Sequence, residues 1–119
     1  MGWIGVDFDG VLAVRVSGQG SRLGKPISPM VARVKGWLRD GYDVRVFTAR
    51  ANDRQQVKQV KKWLKDNGLG DLIVTSNKDE GLIELWDDRA VRVVSNTGAP
   101  CSSCAGYSRL SRQDIKTDC

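Results

Sequence analysis

The stretch Ile4-Gly5-Val6-Asp7-Phe8-Asp9-Gly10-Val11-Leu12 organises the rest of the chain. Its apolar start predicts a buried β-strand, and two carboxylates and a glycine follow where that strand ends. Because residues i and i+2 of a strand point to the same side, Asp7 and Asp9 should project together while Phe8 points into the packing. Two carboxylates about 4 Å apart repel by roughly 4 kcal/mol at an effective dielectric of about 20, so such a pair requires a cation, a shared proton or open water.

The composition is typical of a single globular domain and excludes several kinds of catalytic site. The chain has 119 residues, of which 40% are hydrophobic and 28% are charged. No apolar run approaches the length of about 18 residues that spans a membrane. The absence of histidine excludes Ser-His-Asp and Cys-His catalysis and histidine-ligated zinc. Because the sequence enters a strand at once, without a signal-like leader, we expect a cytoplasmic protein.

The net charge of +5 favours anionic partners such as phosphate esters or nucleic acid. A solvated, lysine-rich surface explains the same charge equally well. The lysines at positions 58, 61, 62 and 65 lie on the polar side of a predicted helix, which favours a solvated outer face over a nucleic-acid contact. The charge alone therefore does not select a partner.

The three cysteines, Cys101, Cys104 and Cys119, all lie near the end of the sequence. Their odd number argues against a disulfide framework of the kind found in secreted proteins. A structural zinc site requires four ligands, and no histidine is present to complete the set. We therefore expect free thiols on a Cys/Ser-rich C-terminal tail, residues 99–119, that is loosely ordered, with a short helix near residues 112–116.

Apolar periodicity and turn residues predict alternating strands and helices before that tail. Ser28 and Pro29 are expected to begin the first helix, with the serine as N-cap, and Asn52 or Asp53 to cap the second. A Gly-rich run between the first strand and the first helix predicts a short hairpin or flap over residues 11–27. The strands are predicted at residues 3–8, 42–48, 71–75, 82–86 and 91–95.

This alternation predicts an α/β fold over residues 1–98, a Rossmann-like three-layer sandwich. Its central sheet should be mainly parallel and five-stranded, with helices on both faces. Ligands of such folds bind beyond the carboxyl ends of the strands, so those ends are the expected position of the site. Four predicted strands end at or lead into polar residues, which are Asp7, Asp9, Thr48, Lys78, Asp87 and Asp88.

These residue types have a simple chemical meaning when they share one edge of a sheet. Carboxylate oxygens bind hard cations, and Mg²⁺ suits a site that offers few protein ligands and keeps several waters. A hydroxyl and an ammonium can hold the oxygens of a phosphoryl group. One aspartate then remains to attack phosphorus.

The order of these motifs resembles the haloacid dehalogenase (HAD) superfamily of phosphotransferases. The sequence has Asp-x-Asp-Gly-Val-Leu, then a strand ending in Thr, then Lys, then a strand ending in Asp-Asp, within residues 1–98. Each motif is weak alone, whereas the ordered set at predicted strand ends is specific. The resemblance implies a Mg²⁺-dependent phosphate monoester hydrolase, that is, a phosphatase that forms an aspartyl-phosphate.

The resemblance also implies a role for each catalytic residue. Asp7 is the implied nucleophile, and Asp9 is the implied general acid for the leaving group and then the base for the hydrolytic water. Lys78 would neutralise charge on the nucleophile and the intermediate. If the loop after the third strand folds differently, Lys25 or Arg50 could supply that positive charge.

The remaining implied roles are substrate binding and metal ligation. Thr48 would hold a phosphoryl oxygen, with Ala49, Arg50 and Lys78 as the other substrate-binding residues. Asp9 would also give its backbone carbonyl to the cation. The implied Mg²⁺ ligands are Asp7, Asp9, Asp87 and Asp88.

Neither gap where this superfamily inserts a cap domain is long enough here to hold one. We therefore expect a small capless member, similar to short bacterial and phage proteins of the superfamily. The implied partner is a phosphorylated small molecule or a phosphorylated polynucleotide end, with no membrane. A second subunit could cover the open site.

Three other functions are compatible with parts of this pattern. A response-regulator receiver combines similar residues, but its acidic pair comes first and its phosphoacceptor stands alone on a middle strand. A catalytically weak or inactive binding or assembly protein would keep the fold and the metal site. A polynucleotide-end phosphatase would perform the same chemistry on a macromolecular substrate.

Overall fold

A computed structural model of the chain describes residues 2–18, 20 and 22–102. The chain divides into two compact units, Met1–Asp87 and Asp88–Cys119. All of the helices and strands described below belong to the first unit. They are β1 (Trp3–Val6), α1 (Ser28–Arg39), β2 (Asp43–Phe47), a 3₁₀ turn (Ala49–Asn52), α2 (Arg54–Asp66), β3 (Val74–Thr75) and β4 (Leu82–Trp86).

The four strands form one sheet in the order β3-β2-β1-β4. All three pairings are parallel. Val6 of β1 lies opposite Val46 of β2 on one side and Trp86 of β4 on the other. The carboxyl ends of β1, β2 and β4 therefore reach the same edge of the sheet. The expected α/β, Rossmann-like fold with a parallel sheet is confirmed at this level.

Both helices pack on the same face of this sheet. Ile4 and Val6 of β1 are register partners of Val44 and Val46 of β2, and so point to the same side. All four are buried in one cluster with the apolar stripes of the two helices, which contribute Met30, Val31, Val34, Val60, Trp63 and Leu64. Burial of these stripes, more than intrinsic helix propensity, stabilises helices of this length.

The helix starts agree only in part with the sequence. Asp53 caps α2, where its side chain accepts a hydrogen bond from the Gln55 amide at 2.9 Å, so this prediction is confirmed. The serine cap predicted for α1 is wrong: Ser28 is the first helical residue and Ile27 is the N-cap, without a side-chain hydrogen bond. Pro29 in the first turn fixes φ there without removing a helical hydrogen bond.

The opposite face of the sheet is covered by a crossing segment, residues 76–81, that joins β3 to β4. Trp3 is only 2% exposed on this face, and its indole Nε1 donates to Asp79 Oδ1 at 2.8 Å. The guanidinium of Arg45 stacks over the same ring at 4.8 Å and reaches Asp79 at 3.8 Å. The prediction of helices on both faces is therefore wrong for this unit, because six residues are too few to form a crossover helix and its loops.

The predicted fifth strand is also wrong. Residues 91–95 belong to the second unit, where Val93 makes only an isolated antiparallel bridge to Pro100. The Val94 amide donates to Ala99 O at 2.8 Å, around a turn that holds Asn96 at a positive φ of 66°. The valine alternation is typical of a sheet strand, but here the chain reverses at once and pairs with the residues that follow. The predicted boundary at residue 98 stays a prediction, and the predicted helix near residues 112–116, Cys104 and Cys119 lie outside the described residues.

The flap predicted over residues 11–27 is a hairpin-like excursion. Its two arms pair antiparallel, with the Val14 amide donating to Lys25 O at 2.8 Å and the Ile27 amide to Leu12 O at 2.7 Å. A Cβ on Gly24 would lie 1.8 Å from Val14 O, so only glycine lets the two arms approach this closely. Among the described residues, no helix combines the length and the apolar character that crossing a bilayer requires.

Removing the Asp79 carboxylate should change how the stability of the fold depends on pH in the acidic range. The Trp3 indole, with the Gly81 amide, holds the pKa of Asp79 below its ordinary value. A depressed folded-state pKa contributes stability above the unfolded value of about 3.9, and that stability is lost as the pH falls through the lower folded value. We expect Asp79→Asn to lower Tm by a constant amount above about pH 5, and by progressively less at more acidic pH.

Thermal unfolding followed by circular dichroism between about pH 2.5 and pH 7 measures this difference. Asp71→Asn is the matched control, because the side chain of Asp71 is 85% exposed and forms a surface ion pair with Lys61. A Tm difference for Asp79→Asn that does not vary with pH would contradict the assignment.

Candidate functional site at the carboxyl edge of the sheet

Asp7 directly follows β1 and continues its pairing with β4. Its amide donates to Trp86 O at 2.9 Å, and its carboxylate accepts from the Phe8 amide at 2.8 Å. The chain then turns sharply through Gly10, which has a positive φ of 88°. The side chain of Asp7 is half-buried, so it is held by local hydrogen bonds and still reaches the surface of the edge.

Phe8 anchors this turn in the core. It is fully buried and packs edge-to-face against Trp63 of α2, with ring centroids 4.9 Å apart. The predicted inward orientation of Phe8 is therefore confirmed. Because Phe8 lies between Asp7 and Asp9, its packing fixes the backbone from which both carboxylates project.

Asp87 brings a second carboxylate to the position of Asp7. It follows β4, the strand next to β1, and a carboxylate oxygen of each residue lies within 4.8 Å of the other. Asp87 is also half-buried. Two negative charges at this separation favour a bound cation or a shared proton. Asp88 is exposed and begins the second unit.

Thr48 contributes a buried hydroxyl from β2, the strand on the other side of β1. It is 5% exposed, and its amide donates to Thr75 O at 2.9 Å. Its Oγ1 accepts from the Arg50 amide at 3.2 Å and so caps the 3₁₀ turn. No acceptor for the hydroxyl proton lies among the described residues, so this proton can be donated to an oxygen of a bound group.

Asp9 is held by Arg50 in a bidentate ion pair. Arg50 Nε donates to one carboxylate oxygen at 2.7 Å and Nη2 to the other at 3.0 Å. The two side chains are 17% and 8% exposed, respectively. The backbone carbonyl of Asp9, the implied cation ligand, accepts a hydrogen bond from Arg15 Nη2 at 2.9 Å. Asp9 is thus surrounded by positive charge, whereas Asp7 faces another carboxylate.

Lys78 follows β3 by three residues, and its catalytic role stays a prediction. It is exposed on the crossing segment, and it makes no ion pair within the part of the chain that the structure describes. The next residue, Asp79, bonds to Trp3 at the start of β1, so the segment crosses from the carboxyl end of β3 towards the amino end of β1. Ala49 is exposed beside Thr48.

Three residues that contact Asp9 or Arg50 were not predicted from the sequence. Arg15 and Arg22 belong to the flap, and Gln56 lies in the first turn of α2, where it accepts from Arg50 Nη1 at 2.9 Å. A flap that carries arginines next to an acidic turn is a usable signal for the first two. Gln56 has no such signal, because its contact with Arg50 depends on how the 3₁₀ turn enters α2.

The comparisons with known proteins agree with the fold and go no further. No family profile matches the sequence, and no curated protein does. A solved structure of a conserved protein from Bacteroides thetaiotaomicron superposes with a TM-score of 0.59 at 20% sequence identity, covering 74% of this chain and 76% of that one. At that identity the likeness shows a shared α/β fold alone.

Proposed function

We propose that this protein is a HAD-type phosphatase that hydrolyses phosphate monoesters through an aspartyl-phosphate on Asp7 and depends on Mg²⁺. One observation carries the proposal. The carboxylates of Asp7 and Asp87 come from neighbouring parallel strands and approach within 4.8 Å, at the sheet edge where α/β proteins bind ligands. The motif order of the HAD resemblance and the buried hydroxyl of Thr48 support the same chemistry.

The donor chemistry at this edge fits Mg²⁺. Carboxylate oxygens are its preferred protein ligands, and it keeps several waters, so two side chains suffice to hold it. Asp7 and Asp87 would bind the ion, and Asp88 stays a candidate ligand on sequence grounds. When bound, Mg²⁺ supplies positive charge that offsets the repulsion between an anionic nucleophile and a phosphate ester.

In the first step, a carboxylate oxygen of Asp7 forms a bond to phosphorus while the bond between phosphorus and the leaving oxygen breaks. The leaving oxygen takes a proton from Asp9. The Thr48 hydroxyl can donate to a phosphoryl oxygen as negative charge develops there, and a fixed donor of this kind is worth several kcal/mol in comparable sites.

In the second step, Asp9 accepts a proton from water as the water oxygen bonds to phosphorus. The bond between phosphorus and Asp7 breaks, and inorganic phosphate leaves. Asp9 has lost its proton in the first step, so its carboxylate, which Arg50 holds in place, can accept this one. Arg50 thus supplies positive charge to Asp9, and the choice of Lys78, Lys25 or Arg50 as the group that neutralises charge on the Asp7 nucleophile stays a prediction.

The substrate is a phosphorylated small molecule or a phosphorylated polynucleotide end. The flap is short, and Asp7 and Asp87 are only half-buried, so a bulky substrate could approach this edge. A neighbouring subunit could cover it instead.

The nucleophile can be tested with p-nitrophenyl phosphate and Mg²⁺. We expect turnover by the wild type and a loss of at least about a hundredfold in kcat for Asp7→Asn, because the amide cannot form the covalent intermediate. Asp71→Asn, an exposed carboxylate paired with Lys61, should retain wild-type turnover. Equal turnover by the wild type and Asp7→Asn would sink the mechanism, and no turnover with intact cation binding would favour a binding protein.

The cation site can be tested without activity. We expect Asp87→Asn to weaken Mn²⁺ binding, used as a spectroscopic substitute for Mg²⁺, on the order of tenfold or more, because one carboxylate oxygen is lost. Titration followed by electron paramagnetic resonance gives Kd for the wild type, for Asp87→Asn and for the control Asp71→Asn. An unchanged Kd in Asp87→Asn would remove Asp87 from the site.

A further inference from the structure

Arg50 is a buried cation whose charge is fully compensated by its surroundings. Its side chain is 8% exposed, against 17% for its partner Asp9. A charge buried to this extent is retained in proteins only where ion pairs and hydrogen bonds replace water. The partners of Arg50 therefore indicate what the side chain does.

Within the described part of the chain, the guanidinium donates at least four hydrogen bonds, to three groups. Two go to the carboxylate oxygens of Asp9, at 2.7 and 3.0 Å. One goes from Nη1 to Gln56 Oε1 at 2.9 Å, and one from Nη2 to the backbone carbonyl of Arg22 at 3.0 Å. These partners lie on the turn after β1, on α2 and on the flap, so one side chain joins three segments of the first unit.

This donor count argues against direct binding of a phosphoryl group. A guanidinium has five N–H donors, so at most one remains here. Arginine usually holds a phosphoryl group through two parallel hydrogen bonds. Arg50 could form such a pair only by giving up Asp9, Gln56 or Arg22.

The local backbone holds Arg50 in this position. Its own amide donates to Thr48 Oγ1 at 3.2 Å, so the guanidinium projects from a capped 3₁₀ turn. The flap has a second attachment, from Trp63 Nε1 to Gly24 O at 2.9 Å. Replacing Arg50 should therefore release Asp9 without detaching the whole flap.

We propose that Arg50 is a positioning residue that fixes the Asp9 carboxylate for proton transfer, and not a ligand of the substrate's phosphoryl group. The inference rests on the proposed function, since it requires that Asp9 moves protons. It replaces the substrate-binding role that the sequence implied for Arg50. A lysine cannot take this place, because an ammonium lacks the planar fork that fits both carboxylate oxygens.

The test compares kcat and KM for Arg50→Gln with those of the wild type, with p-nitrophenyl phosphate and Mg²⁺. We expect kcat to fall on the order of tenfold to a hundredfold, because a misplaced proton-transfer group slows the chemical step. KM and inhibition by inorganic phosphate should change by less than about twofold, because phosphoryl binding is intact. In an Asp9→Asn background, Arg50→Gln should cause no further loss of kcat.

Two further variants keep the test decisive. Arg45→Gln is the matched control: Arg45 also pairs with an aspartate through Nε and Nη2, at 3.4 and 2.9 Å, but on the face covered by the crossing segment, so its kcat should be unchanged. If Arg50→Gln does not fold, Arg50→Lys keeps the charge without the bidentate fork, and the same split between kcat and KM applies.

Each contrary result overturns a specific claim. A raised KM and weaker phosphate inhibition with retained kcat would show that Arg50 binds the substrate. An unchanged kcat, or an equal loss in the Asp9→Asn background, would show that Arg50 does not act through Asp9. No turnover by the wild type would instead overturn the proposed function, and the inference with it.

Discussion

Parallel pairing of β1 with both of its neighbours is the constraint on which the site depends. Each strand of the pairs β1–β2 and β1–β4 runs in the same direction, so every residue that follows a strand is delivered to one edge. Asp7, Thr48 and Asp87 reach that edge although they are far apart in sequence. The register, with Val6 opposite both Val46 and Trp86, aligns these ends to within a residue or two.

The helices and most strands were predictable because their signals are local. The apolar stripes of α1 and α2 and the alternation in β2 specify which sides are buried, and burial then selects the elements. The end of β1 was also predictable, because an apolar residue between two aspartates points into the core while the two carboxylates point outwards. Phe8 is buried in this way.

The structure could not be predicted where a local sequence pattern is compatible with more than one structure. Residues 91–95 carry valines suited to a strand, but the turn at Asn96 lets them pair with the residues that follow. The path of the crossing segment that carries Lys78 is set by the contact between Asp79 and Trp3, and the catalytic role of Lys78 stays a prediction. The pairing of Asp9 with Arg50 joins residues 41 positions apart, and no periodicity in the sequence encodes it.

The two aspartates of the first turn have different neighbours among the described contacts. Asp7 faces a carboxylate and Asp9 faces a guanidinium. Two aspartates separated by a single phenylalanine therefore have different groups beside their carboxylates. The difference arises because different strands supply the neighbouring groups: Asp87, beside Asp7, follows β4, and Arg50, beside Asp9, follows β2.

The position of Asp87 directly after β4 also links the site to the stability of the sheet. Within the described residues β4 is an edge strand, joined to the sheet only through β1, and edge strands open more readily than central ones. The repulsion between Asp7 and Asp87 opposes the pairing of these two strands. A cation bound by both carboxylates, as the proposed function requires, would therefore also hold β1 and β4 together, by mass action on the closed state. Opening of β4 and binding of a cation at the site would then be linked equilibria, so that each one opposes the other.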